Sequence, residues 1–193
     1  EPTAGYIFKS TVEYAGLGGD AKFLKTSALG KLYSSIFDEK VIFTAEVEAG
    51  TLQMQKGFSK ATDRFSLGGR KFRGFQYGEI GPRDGVHALG GENFAISRLE
   101  ANFPLGLPEE LGLYGGLFAE VGSLWGLDIN TSKTGLTSSD LKSLDSSLRS
   151  SLGFSLYWST PIGPLQFNWA KPQKYLKGVD KTEDFSFNLA SRF

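Results

Sequence analysis

Residues 63–83 read DRFSLGGRKFRGFQYGEIGPR, and this stretch decides how the rest of the chain is interpreted. Its five glycines and its proline fit neither a helix nor a regular strand, so the stretch is predicted to be a loop. Four aromatic residues nevertheless lie among its arginines and lysine: Phe65, Phe72, Phe75 and Tyr77. An exposed loop has little use for four aromatics. A loop that folds into a cavity explains them better, and a long surface loop between two strands is the alternative.

The composition argues against some classes of partner and excludes some kinds of metal site. The chain has 193 residues, with 21 Lys+Arg against 21 Asp+Glu, so its formal net charge is zero. This balance argues against a nucleic-acid partner, which usually needs a basic surface. The chain has no cysteine, which excludes disulfides and thiolate metal sites. With His87 as the single histidine, we expect no metal site and no cofactor.

The ends and the hydropathy of the chain give two further expectations. No apolar run approaches the ~20 residues of a transmembrane helix, although barrel strands alternate and would give only a weak hydropathy signal. The chain begins at Glu1 without a methionine or a visible signal peptide, so we expect a mature or excised piece.

Apolar and polar residues alternate with a period of two along most of the chain, which is typical of strands. The pattern predicts about eight antiparallel strands, at 6–14, 22–37, 41–49, 94–103, 113–125, 148–158, 165–169 and 185–193. The connection at about 53–92 is too long for an ordinary loop, and its aromatics argue against disorder.

The length of the predicted strands favours a membrane barrel. Alternation alone also fits a soluble sandwich, which would bury its apolar face. Residues 22–37 and 113–125, however, exceed the ~5–6 residues usual for soluble strands and reach the ~9–11 that cross a bilayer. The predicted fold is therefore an all-β transmembrane antiparallel barrel with a polar lumen.

Five motifs, in order along the chain, resemble the Omp85 superfamily of outer-membrane barrels, in particular its protein-assembly branch. The central one is the Arg-Gly-Phe tripeptide of the family's signature loop, which folds back into the barrel lumen. The motifs are FRGF at 72–75 with IGPR at 80–83, NFPL at 102–105, EVGSLW at 120–125, STPIGPL at 159–165 and the C-terminal run to Phe193.

The resemblance implies roles for the residues of the signature loop, which we place at about 53–92. Arg73 would pair with Glu100 and Glu120, on the polar faces of the two following strands, because a guanidinium in a lumen needs a carboxylate partner. Phe72 and Phe75 would anchor the loop against the inner wall. Gly74 would allow a tight turn that disfavours a β-carbon. Alternatively, the two glutamates solvate a wet lumen or pair with Arg98.

The last predicted strand looks like the family's assembly signal, an alternating apolar face that ends in an aromatic residue. Its members are Phe185, Phe187, Leu189 and Phe193, which we expect to face lipid. The polar residues between them, Ser186, Asn188 and Arg192, should then face the lumen. The alternative is an ordinary last strand with an outward apolar face.

The resemblance covers residues 1–193 but only part of the family architecture. Family members carry a barrel of about sixteen strands, preceded by POTRA domains. We therefore expect the C-terminal half of such a barrel, with the POTRA domains absent. Whether the eight strands are an excerpt or close by themselves stays open, but a barrel of ~8 strands would have no room for the signature loop.

The implied function is non-enzymatic insertion of nascent barrel proteins into the bacterial outer membrane, of which this chain would be an integral part. The seam between first and last strands would open, and a strand edge would template an incoming strand. Partners would be nascent outer-membrane proteins, outer-membrane lipid and accessory lipoproteins. An Omp85-type secretion pore is the nearest alternative. An outer-membrane enzyme is a poorer one, because His87 alone supplies no catalytic constellation.

Overall fold

The computed structural model describes residues 3–16, 21–84, 87–127, 145–161 and 163–189. Its ten strands are β1 (Gly5–Ala15), β2 (Lys22–Ile36), β3 (Val41–Lys56), β4 (Arg83–Asp84), β5 (His87–Ala88), β6 (Asn93–Pro104), β7 (Leu113–Trp125), β8 (Arg149–Thr160), β9 (Gly163–Lys174) and β10 (Phe185–Leu189). A short 3₁₀ turn, Glu109–Leu111, precedes β7.

Eight of these strands form one antiparallel sheet in which neighbours along the sheet follow one another in sequence, apart from the small β4–β5 hairpin. The seven strands that share this sheet with β10 have 11 to 16 residues each, far beyond the usual ~5–6 of soluble strands. The expected all-β, barrel-type fold of about eight strands is confirmed. No helix in the described part of the chain is long and apolar enough to cross a membrane.

The sheet is open, because β1 and β10 lie at its two edges and do not pair with each other over the described residues. It is therefore a section of a barrel wall. The connection between β3 and β6 lies against one face, which we call the inner face. This open arrangement leaves the space that a closed barrel of eight strands would lack.

The outer face of the sheet is apolar and exposed, as the alternation predicts. On β7, Leu117 is 55% exposed whereas its neighbour Phe118 is 4% exposed. On β10, Phe185, Phe187 and Leu189 are exposed on the outer face. Ser186 lies on the inner face, where it accepts a hydrogen bond from Asn168 at 3.3 Å. The outer and inner faces of the last strand are thus as expected at these positions, whereas its role as an assembly signal stays a prediction. Phe193 and Arg192 lie outside the described residues.

The signature loop comprises residues 57–92 and starts later than the sequence indicated. Strand β3 continues through Lys56 because residues 51–56 pair with the start of β2. The loop then covers the inner face and supplies Phe65, Leu67, Phe72, Phe75 and Ile80 to the core. The wall supplies the rest of that cluster: Phe23, Leu52, Phe94, Ile96 and Leu124.

The inner face has two unlike parts, which corrects the expectation of a polar lumen. Along β6, Phe94 and Ile96 are buried in the core, whereas Arg98 and Glu100 point to the same side two and four residues later. The apolar part is not wetted because the signature loop covers it. The part of the wall beyond that core carries paired charges, among them Arg98 with Glu46.

Candidate functional site

Arg73 forms the centre of the site, at the point where the signature loop reaches the charged part of the wall. Its Nε donates to Glu120 Oε1 and its backbone N–H donates to Glu120 Oε2, each at 2.7 Å. Its Nη2 donates to Glu100 Oε2 at 2.7 Å, and its Nη1 donates to Ser155 at 3.1 Å. The two carboxylates are those predicted from the sequence. One arginine thereby joins the loop to β6, β7 and β8 through charge-assisted hydrogen bonds.

The guanidinium of Arg73 also lies over an aromatic ring. Its central carbon is 3.6 Å from the centroid of Phe118, a distance typical of a cation–π contact. The ring in turn lies over Gly153 on β8, where a β-carbon would collide with it. A glycine inside a strand often marks such a close approach. Gly153 was therefore a sequence signal for this packing, although it lies in none of the motifs.

Strands β8 and β9 contribute partners that the sequence analysis missed. Tyr157 donates its hydroxyl proton to Glu100. Ser155, which accepts from Arg73, donates to Asn168 at 2.7 Å, and Gln166 donates to the same oxygen at 2.9 Å. These polar residues recur at every second position of their strands, so alternation identifies their face. Their contact with Arg73 depends on strand register, which alternation does not give.

Arg98, the competing partner of the two glutamates, binds elsewhere. It donates to Glu46 and to the backbone oxygen of Lys71. Its Nε lies 3.8 Å from Glu120 Oε1, well beyond the 2.7 Å of the Arg73 contact. Glu120 is therefore bound mainly by Arg73, and Arg98 adds positive charge beside it.

The remaining residues of the tetrapeptide hold the loop tip, which we define as residues 72–76. Phe72 and Phe75 are fully buried, with ring centroids 5.0 Å apart. Gly74 has a φ of 91°, a conformation that side chains disfavour. A β-carbon there would also lie 3.1 Å from that of Ser151 on β8. The tip thus needs glycine for its backbone conformation and for its close approach to the wall.

A second arginine holds the loop base, which we define as residues 59–65 and 89–92. Arg64 is buried and donates to Ser59 Oγ at 2.8 Å and to the backbone oxygen of Leu89 at 3.0 Å. Ser59 also donates to Glu92 at 2.6 Å. Phe65 packs on Phe94 of β6 with ring centroids 4.7 Å apart. The sequence analysis counted Arg64 among the basic loop residues without assigning it a partner.

The connection between β9 and β10, residues 175–184, forms a third support. Gln76 N–H donates to the backbone oxygen of Lys181, and Glu183 N–H donates to that of Gly74, each at 3.0 Å. Glu79 lies between Arg83, at 2.5 Å, and Lys181, at 3.3 Å. Partial burial raises the pKa of Glu79, but hydrogen bonds and charge from these two cations outweigh it, so the pKa lies below its ordinary value.

The described residues contain no cluster of three or more acidic, histidine or cysteine side chains that could hold a metal ion. His87 is 82% exposed and lies 3.3 Å from Asp84 in the β4–β5 hairpin. The hydrogen bonds and ion pairs of Arg73 attach the signature loop to the wall of the sheet.

Comparison with known proteins identifies a family for this arrangement. The family model of the Omp85 superfamily domain matches residues 1–193. The chain is 36% identical over 196 residues to the outer membrane protein assembly factor BamA of Neorickettsia risticii, covering all of this chain and 25% of that protein. It is 31% identical over 182 residues to a SAM50-like protein of Schizosaccharomyces pombe, covering 89% of this chain and 36% of that protein.

A solved structure has the same fold. The crystal structure of BamA from Haemophilus ducreyi lacking POTRA domains 1–3 matches 96% of this chain and 38% of that chain, with a TM-score of 0.82 and 23% identity. This chain thus spans between a quarter and two fifths of these proteins.

Proposed function

The chain belongs to the Omp85 superfamily, and we propose that it is the C-terminal part of the barrel of an outer-membrane protein assembly factor. The whole protein would insert nascent β-barrel proteins into the bacterial outer membrane, in which it is an integral protein. The identity of 36% over the full chain to a BamA supports this assignment. The similarity to BamA proteins covers a quarter of their length, so the activity proposed is that of the longer protein.

The observation that supports the mechanism is the position of β10 at one edge of the described sheet. The sheet places β10 last, with β9 on one side and no described strand on the other. An unpaired edge in lipid leaves backbone N–H and C=O groups unsatisfied, so such an edge favours pairing with another strand. We propose that this edge forms one side of a lateral seam at which an incoming strand is templated by backbone hydrogen bonds.

The outer face of β10 is suited to this position. The ring centroids of Phe185 and Trp169 lie 5.4 Å apart, and those of Phe187 and Phe167 lie 5.1 Å apart. These aromatic pairs hold β10 to β9 on the outer face of the sheet. The mechanism is non-enzymatic, because it exchanges backbone hydrogen bonds and breaks no covalent bond.

We propose three partners for the whole protein. Nascent outer-membrane proteins would pair with the seam. Outer-membrane lipid would contact the outer face, where residues such as Tyr6 and Leu117 are exposed. Accessory lipoproteins of the assembly complex follow from the family resemblance.

Photocrosslinking to a stalled nascent barrel protein tests the mechanism. A crosslinking residue replaces Leu189 on β10 in the full-length protein, and a matched control replaces Leu165 on β9. The two leucines pair directly with each other, so they differ by one strand in distance from the edge. Templating at the seam predicts strong crosslinks from position 189 and weak ones from position 165.

Two other outcomes would contradict the proposal. Equal crosslinking at both positions would show that the edge of β10 has no special role in pairing. Crosslinks concentrated at inner-face positions such as Lys31, with none at position 189, would favour the secretion pore, because a translocated chain would pass through the lumen.

A further inference from the structure

The β9–β10 connection contacts the loop tip through its backbone, in addition to side chains. Two hydrogen bonds of 3.0 Å run in opposite directions, from Gln76 to Lys181 and from Glu183 to Gly74. Between them, Phe75 and Thr182 form an antiparallel bridge. The loop tip and the connection therefore make a small two-stranded pairing above the wall.

A buried ion pair fixes the connection to the wall. Asp180 accepts from Nε and Nη2 of Arg149 on β8, each at 3.1 Å, and neither side chain is accessible to solvent. The same carboxylate accepts from the backbone N–H of Leu176 at 2.7 Å. A bidentate pair with this geometry restricts both groups, and removing one partner would leave a buried charge.

The connection continues directly into the terminal strand. Ala170 N–H donates to the backbone oxygen of Asp184 at 2.9 Å, and the next residue, Phe185, already pairs with Trp169. Only one residue separates Glu183, which binds the loop tip, from the first residue of β10. A shift of the connection would therefore displace the start of β10.

From these contacts we infer that Asp180 is a positioning residue, which couples docking of the loop tip to the order of β10. Arg149 and Asp180 hold the connection where it binds residues 74–76 on one side and leads into β10 on the other. Docking of the tip, which depends on Arg73, and the order of β10 are then coupled to each other. Such coupling is reciprocal, so a change at either end must be felt at the other.

The relevance of this coupling for the seam rests on the proposed function, but the coupling itself does not. An ordered connection would hold β10 on β9, and an undocked tip would loosen the strand at the free edge. The signature loop would then influence the seam without contacting an incoming strand.

Hydrogen exchange of backbone amides in the full-length protein, reconstituted in lipid nanodiscs, tests the inference. Asp180→Asn keeps the shape of the side chain and removes its charge. Exchange should rise about fivefold or more, the lower end of typical coupling between sites, at Gln76 and Glu183 and along residues 185–189. The matched control is Asp184→Asn, the same change at an exposed carboxylate of the same connection, which should leave these amides unchanged.

The reciprocal variant separates positioning from a purely local structural role. Arg73→Lys keeps the positive charge but loses the guanidinium fork. It lies far from Asp180 in sequence, yet it should also raise exchange at Glu183 and at Ser186, whose N–H faces β9 in this register. It serves as well if Asp180→Asn fails to fold.

Exchange that rises only within residues 175–184 in Asp180→Asn, or stays unchanged at Glu183 and Ser186 in Arg73→Lys, would overturn the inference. Neither readout involves assembly of a nascent protein. Failure of the coupling is therefore distinguishable from failure of the proposed function, which the crosslinking experiment measures separately.

Discussion

The base and the tip of the signature loop are both held by a buried arginine, but the two arginines draw their partners from different parts of the chain. Arg64 binds Ser59 and Leu89, which belong to the two ends of the loop itself. Arg73 binds Glu100, Glu120 and Ser155, which belong to three strands of the wall. The base thus closes the loop on itself, whereas the tip attaches it to the barrel.

The surroundings of the two arginines also differ, being apolar at the base and charged at the tip. Beside Arg64, Phe65 packs on Phe94 in the apolar part of the inner face. Around Arg73 the wall is charged, with Arg98 beside Glu120. We therefore expect the base to persist when the tip is released, and each of the following variants tests this difference.

The largest effect is expected from Arg73→Ala. It leaves the buried carboxylate of Glu120 without its main partner, and breaking a buried pair costs roughly 3–5 kcal/mol, less in a wet lumen. Hydrogen exchange should rise across residues 72–76 and stay low at residues 59–65, with little change in strand content. Arg70→Ala, the same change at an exposed arginine three residues earlier, is the control.

The double exchange Arg73→Glu with Glu120→Arg sharpens this result. It should restore part of the lost protection at residues 72–76, since opposite charges again face each other. Recovery should be incomplete, because a glutamate lacks the fork of the guanidinium. No recovery at all would indicate that geometry and not charge holds the tip.

Arg64→Ala should have a smaller and complementary effect. It removes donors to Ser59 and Leu89, and leaving buried polar groups unsatisfied costs about 1–3 kcal/mol. Exchange should rise at residues 59–65 and 89–92 while the Arg73 N–H, bound to Glu120, stays protected. Simultaneous loss of protection at both places would show that base and tip are one unit, contrary to our expectation.

A smaller effect is expected from Gly74→Ala, for which Gly78→Ala is a matched control. Both glycines have positive φ, 91° and 71°, so a side chain costs about 1–2 kcal/mol at either position. Only at Gly74 would the new β-carbon press on the wall, while at Gly78 no atom lies within 4 Å. Denaturant titrations should show a larger loss for Gly74→Ala. Equal losses of stability would mean that the wall shifts to make room for the new β-carbon at Gly74.

The smallest effect is expected on acidification. Because the pKa of Glu79 is depressed in the folded protein, its contribution to stability is present above the ordinary value of 4.5 and is lost as the pH falls below it. Exchange at Gln76 should therefore rise as the pH falls through that range, after correction for intrinsic rates. Glu79→Gln, which cannot titrate, should abolish this pH dependence. An unchanged profile would show that Arg83 and Lys181 do not act through Glu79.

The sequence predicted the sheet well because alternation reports the two environments of each strand directly. It placed Phe187 outward and Ser186 inward, and the structure agrees. For Arg73, the resemblance supplied Glu100 and Glu120. Alternation could not supply Ser155, 82 residues away, because its contact with Arg73 depends on the registers of intervening strands.

The contacts of the β9–β10 connection were missed for a related reason. Asp180 lies outside any alternating segment, so no pattern indicates which way it points. Its pairing with Arg149 is determined by a turn that has no periodicity. The apolar part of the lumen was also missed, because an inward Phe94 is interpretable only once the loop that covers it is placed.

The partners of Arg73 have a consequence for the order in which the protein folds. All three follow Arg73 in sequence, by 27 to 82 residues. When the chain is synthesised from its N-terminus, the arginine emerges before any surface that could neutralise it. Contacts between residues so far apart form slowly, since the intervening chain must first be ordered. Docking of the tip therefore belongs to a late step, completed only when β8 has joined the sheet, and it would report that this part of the wall has been built.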